Sequence, residues 1–141
     1  MTAMKGPFDH PGGGRAPNLA EFEDLAAKAY ARLPDHFRAL CEDLVIRVDD
    51  FPTPEVVAHM RVGSRYNLLG LFQGIGVPFR PDVTGLMPNM IWLYRRPILA
   101  YWADHPEDSL TAIVSHVLVH EIGHHFGFSD ADMEAIEAAA D

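Results

Sequence analysis

Residues 120–130 read HEIGHHFGFSD. His120 and His124 are four apart, so on a helix they sit one turn from each other and both rings can reach one ion. Glu121 follows the first histidine. It lies beside the pair, close enough to take a proton from a water at that ion but poorly placed to ligate. Two imidazoles and a carboxylate at this spacing suit a Lewis-acidic divalent metal that activates water.

A third ligand has to come from outside this turn of helix. His116 continues the histidine stripe, but it lies about 12 Å from His124 along the axis, at ~1.5 Å per residue. Metal–nitrogen bonds are only ~2.1 Å. Gly127 offers a stop, because glycine tolerates the left-handed conformation that ends a helix and redirects the chain. The chain can then return Asp130 beneath the two histidines. HExxHxxGxxD therefore reads as one mechanical unit: two ligands, a base, a turn and a third ligand. Glu134 and Glu137, on the final helix, are the alternatives to Asp130, which has a competing role as that helix's cap. His125 points about 100° away from the ligand face and reads as a packing or supporting residue. His116 reads as a buried, hydrogen-bonded helix residue.

The elements that must position these groups follow from periodicity. The stretch PEDSLTAIVSHVLVHEIGHHF (106–126) has no charged residue between Ser109 and Val119, and its apolar side chains surround most of a helix. Such a helix is buried. Pro106, Glu107 and Asp108 suit its first turn. Upstream, Asn18 with Glu21 three places on forms the pattern of a capping box. An amphipathic helix follows to Leu33 and is broken at Pro34. Residues 44–51 (LVIRVDDF) and 90–94 (MIWLY) read as strands, with Asp49 and Asp50 as a solvated strand end. A third strand is expected within 67–74, a short helix over 55–60, and a helical turn or two from Pro97. Residues 74–89 read as a Gly/Pro loop. The fold expected is a small α+β domain with about three strands in a short mixed sheet and a buried active-site helix. Residues 1–17 read as a flexible Gly/Pro-rich tail that includes His10, and 18–141 as one domain.

Composition narrows the partners. The 141 residues carry a net charge of −9, with nine Arg and two Lys. That disfavours nucleic acid and anionic membranes, which reward a basic surface. No stretch approaches the ~18 apolar residues of a membrane span, and the N-terminus lacks the apolar run of a secretory leader. A single cysteine, Cys41, precludes an internal disulfide and agrees with a reducing, cytoplasmic setting.

The segment HEIGHHFGFSD resembles the signature of small bacterial zincin-like metallopeptidases with an aspzincin-type HExxHxxGxxD motif. The order of helix, LVIRVDD, LLGLFQG and IWLYRRPI ahead of the motif helix is similar as well, over about residues 19–139. The resemblance implies a minimal zincin fold, one zinc per chain on His120, His124 and Asp130, Glu121 as general base, and a peptide or protein substrate. The residue that would hold the oxyanion is open among Tyr94, Tyr101, Arg95 and His125. Two other functions compete. One is a metal-dependent endoribonuclease of the ribosome-maturation type, which has histidine at the eleventh motif position and lacks the glutamate. The other is a non-catalytic zinc protein.

Overall fold

In a computed structural model, residues 16–41, 44–73 and 89–140 are described. Most of the expected tail, with His10, and residues 74–88 of the expected Gly/Pro loop lie outside them. At the tail's end, Pro17 is buried, and its carbonyl accepts a hydrogen bond from Arg95 Nε at 2.7 Å.

The capping box at Asn18 forms as its residue types require. The Asn18 side chain accepts from the Glu21 N–H at 2.8 Å, and the Glu21 carboxylate accepts from the Asn18 N–H at 2.9 Å. It opens α1 (Leu19–Ala31), which buries Phe22, Ala26 and Ala29. Pro34 separates this helix from the short α2 (Asp35–Arg38). There follow β1 (Val45–Asp49), α3 (Pro54–Met60), β2 (Gly70–Gln73), β3 (Met90–Tyr94), α4 (Arg95–Asp104), α5 (Leu110–His125) and α6 (Asp130–Ala138). Among the described residues, three strands form one sheet in the order β1-β3-β2. β1 runs parallel to β3, with Ile46 opposite Ile91, and β2 runs antiparallel to it, with Leu71 opposite Trp92. This is the small α+β domain with a short mixed sheet that the sequence predicts.

α5 is the element around which the core closes. Leu110, Val114, Leu118, Val119 and Ile122 are fully buried, together with Phe22 of α1, Ile91 and Leu93 of β3, and Met133 of α6. Truncating one such leucine or isoleucine to alanine costs about 2–5 kcal/mol. The near-uniform apolar surface of α5 is thus explained: α1, the sheet and α6 cover it from different sides.

Three expectations need correction. α5 begins at Leu110, not at Pro106. Ser109 is its cap, with Oγ accepting from the Ala112 N–H at 3.1 Å. Residues 106–108 form a turn instead, held by Asp108 N–H to the His105 carbonyl and by Trp102 Nε1–H to the Asp108 carbonyl, both at 3.0 Å. α4 is longer than a turn or two and starts directly after β3, at Arg95. Asp50 is not simply solvated, because it pairs with Arg95 at 3.0 Å.

Candidate metal centre

The geometry of the motif depends on how α5 ends. Gly127 takes φ +78. Its N–H bonds the His124 carbonyl at 3.1 Å, and the Phe128 N–H bonds the Gly123 carbonyl at 2.8 Å. These two bonds are the pair that defines a Schellman stop, which needs the left-handed residue glycine supplies. Ser129 then caps α6: its Oγ accepts from the Asp132 N–H at 3.1 Å, and Asp132 accepts from the Ser129 N–H at 3.2 Å. The competing role for Asp130 as helix cap is therefore taken by Ser129. Asp130 is the first residue of α6 and is exposed.

The angle of return is set by Gly123, inside the motif. A Cβ there would stand 2.6 Å from Met133 Sδ and 2.9 Å from its Cγ. The missing side chain lets fully buried Met133 lie against α5, and α6 follows it in. Asp130, Glu134 and Glu137 recur at i, i+4 and i+7 on one face of α6. With His116 and His120 they line an open cleft of about 480 Å³.

His120 sits at the middle of this arrangement. Its ring lies 5.5 Å from that of His124, at 87°, and 3.9 Å from that of His116, at 33°. Burial holds the His120 pKa below its ordinary value; His116 and His124 push the same way, and Glu137 and Asp130 oppose them. A neutral imidazole is the form that binds metal. His124 is exposed and carries its ring on the next turn.

Glu121 faces the other side, toward the sheet. Burial holds its carboxyl above the ordinary carboxylate range, while His124 and a hydrogen bond from the Phe72 N–H pull it down. A Cβ on Gly70 would lie 3.6 Å from Glu121 Cγ, so the carboxylate stem runs past β2. The same charge helps push buried Tyr94 up to about 12, after burial itself and Asp49.

His116 is not the buried residue the sequence suggests. Its side chain is 53% exposed, and Nδ1 lies 3.0 Å from Glu137 Oε1. His120 Nε2 lies 3.3 Å from Glu137 Oε2. Among the described residues, the group whose ligand atoms all lie within 4.8 Å of one another is His116, His120 and Glu137, not the motif trio. The sequence signal for Glu137 was the seven-residue spacing from Asp130; what it lacked was the approach of α6. Of the other candidates, His125 packs its ring against Phe72, tilted at 57° with centroids 4.5 Å apart. Tyr101 is exposed and stacked on His105 at 3.8 Å. Arg95 is engaged with Pro17 and Asp50.

The donor chemistry around His120 suits a divalent metal. It offers imidazole nitrogens and carboxylate oxygens, no thiolate, and an excess of negative charge from α6. No helix is long and apolar enough to cross a membrane among the described residues. No curated protein matches the chain. A family model does, over residues 41–140: its description is zincin-like metallopeptidase. The match includes β1 through α6 and leaves out α1 and α2.

Proposed function

The chain belongs to the zincin-like metallopeptidase family, and from that premise we propose that it hydrolyses peptide bonds with one zinc ion per chain. His120, His124 and Asp130 would hold the ion, and Glu121 is the general base. The observation that carries this reading is the position of Glu121. It is half-buried, close enough to His124 to feel its charge, and its carboxylate reaches the backbone of β2 at Phe72.

Zinc, when bound, would supply Lewis acidity, making water a stronger acid and drawing electron density from a carbonyl oxygen. Glu121 takes the proton of the attacking water and later delivers it to the leaving amine. Burial raises its affinity for protons, which strengthens it as the base that takes the water's proton. Neutral His120 is ready to ligate without first losing a proton.

The sheet supports a peptide as substrate. β2 pairs with β3 on one side only among the described residues. Leu69 O accepts from Tyr94 N–H in the same ladder. The alternation of an antiparallel pair then points the backbone groups of Leu71 and Gln73 toward β3, and those of Gly70 and Phe72 toward the open edge. An extended peptide can add to such an edge through main-chain bonds to the Gly70 backbone and the Phe72 carbonyl, the Phe72 N–H being held by Glu121. Beyond β2, a groove of about 520 Å³ lies between this strand and α3, lined by Val56, Met60, Leu71 and Phe72 with Glu55, His59 and Gln73. It offers an apolar floor to side chains of the bound strand. The carboxylates of α6 would repel a phosphate backbone, which favours peptide over RNA. We place the activity in the cytoplasm, in keeping with the free, buried Cys41.

The test is digestion of a proteome-derived peptide mixture by zinc-loaded protein, read by mass spectrometry, beside Glu121→Gln. The variant should retain its zinc and lose at least about 100-fold in turnover. Cleavage at the wild-type rate by Glu121→Gln, or cleavage that survives chelation, would overturn the proposal.

A further inference from the structure

We propose that His116, His120 and Glu137 form a second position for a divalent transition-metal ion, separate from the motif position and competing with it for His120. The competition rests on the zinc reading above; the second position rests on its own side-chain geometry.

Glu137 bridges two histidines one turn apart on α5. Its Oε1 is 3.0 Å from His116 Nδ1 and its Oε2 is 3.3 Å from His120 Nε2. Tetrahedral zinc with bonds of ~2.0–2.2 Å holds its donors about 3.4 Å apart. Those two spacings use different oxygens of Glu137; one donor atom from each of the three residues lies within 4.8 Å of the others, so a small inward shift brings the set to ligand spacing. The side chains of His120 and Glu137 are 25% and 26% exposed, so an ion can enter from the cleft while α6 walls the other side. Asp130 and Glu134 line the same cleft and add negative charge around the entering cation.

His120 belongs to both sets. The nitrogen that faces Glu137 is Nε2, and one ring nitrogen holds one ion. An ion at the second position therefore takes His120 from the motif. Because the two positions share His120, a bound ion divides between them in a ratio set by their relative affinities. The consequence is a divided metal: the fraction held at the second position is withdrawn from the motif, and His116 and Glu137 set that fraction without touching Glu121.

The experiment is titration of metal-free protein with Co²⁺, followed by its visible absorption and by equilibrium dialysis, with circular dichroism as the check on folding. His124→Ala/Asp130→Ala removes two motif ligands and leaves the second position whole; it should still bind one Co²⁺ per chain. Adding His116→Ala, a change at a side chain half in solvent, should weaken that binding by about tenfold or more, and Glu137→Gln should do the same. If folded His124→Ala/Asp130→Ala binds no Co²⁺ in the millimolar range, the second position does not exist and the motif reading stands alone. Binding that is indifferent to both His116→Ala and Glu137→Gln overturns the proposal equally. If that double variant binds as tightly as wild type, while His116→Ala/Glu137→Gln binds nothing, the second position is upheld and the ligand set assigned to the motif fails.

Discussion

Gly123 controls how closely α6 approaches the histidines, and its replacement gives a prediction with a magnitude. A Cβ at this site would stand 2.6 Å from Met133 Sδ and 2.9 Å from Cγ, roughly 1 Å inside ordinary van der Waals separation. Met133 is fully buried, so its side chain has no solvent to move into. Overpacking of this kind costs about 1–3 kcal/mol. Alanine is a better helix former than glycine by about 0.8–1 kcal/mol, which offsets part of it. Gly123→Ala should therefore lower stability by about 1 kcal/mol, a fall of roughly 3 °C in Tm for a domain of this size. Because α6 carries Asp130, Glu134 and Glu137, zinc affinity should fall with it. The assay is urea unfolding of Gly123→Ala, Met133→Ala and the double variant, with zinc affinity measured on each. Met133→Ala alone costs about 2–5 kcal/mol. Combined with Gly123→Ala it should cost less than the sum by about 1–3 kcal/mol, since the shortened side chain makes room. A Gly123→Ala protein more stable than wild type, with zinc affinity unchanged and no coupling to Met133, would refute the close-approach argument.

Three further outcomes follow from the same structure. Gly70→Ala places a Cβ 2.7 Å from Val117 Cγ1 and 3.0 Å from the Trp92 carbonyl; urea unfolding should show a loss of about 1–3 kcal/mol, and an unchanged midpoint would contradict it. The Glu121 carboxyl holds its proton more tightly folded than unfolded, so metal-free wild type loses stability as pH rises from the ordinary value of 4.5 toward the raised folded one, and carries a constant penalty above it. Metal-free Glu121→Gln should accordingly gain on wild type between pH 4 and pH 8 in urea midpoints, and a difference independent of pH would count against the buried charge. Burial pushes the Cys41 thiol from 9.0 to about 11, so at pH 8 its thiolate fraction is about 100-fold below that of an ordinary thiol; iodoacetamide should label Cys41 at least that much more slowly in folded than in unfolded protein, and equal rates would show the site is open.

Much of the fold was legible because local chemistry specified it. Asn18 and Glu21 announce the start of α1, Gly127 announces the end of α5, and the five residues of MIWLY coincide with β3. The start of α5 was misread for a physical reason. Proline and acidic residues suit a first helical turn, but the Ser109 hydroxyl makes a better cap, and the Trp102 indole holds residues 106–108 in a turn. The candidate site divides in the same way. The placement of His120, Glu121 and His124 along one helix was visible from spacing alone. The exposure of His116 and its bond to Glu137 were not, because they depend on two helices meeting, and that meeting depends on Gly123 and Met133 fitting together. Likewise nothing in the spacing of HExxH says that Glu121 will meet the backbone of β2.

The most direct test of the central claim is an anomalous-scattering map at the zinc edge, from crystals of wild-type protein loaded with one equivalent of zinc. The account predicts a principal peak among His120, His124 and Asp130, with the Glu121 carboxylate beside it but not bound to it. A single peak held by His116, His120 and Glu137, with His124 and Asp130 turned away, would contradict it.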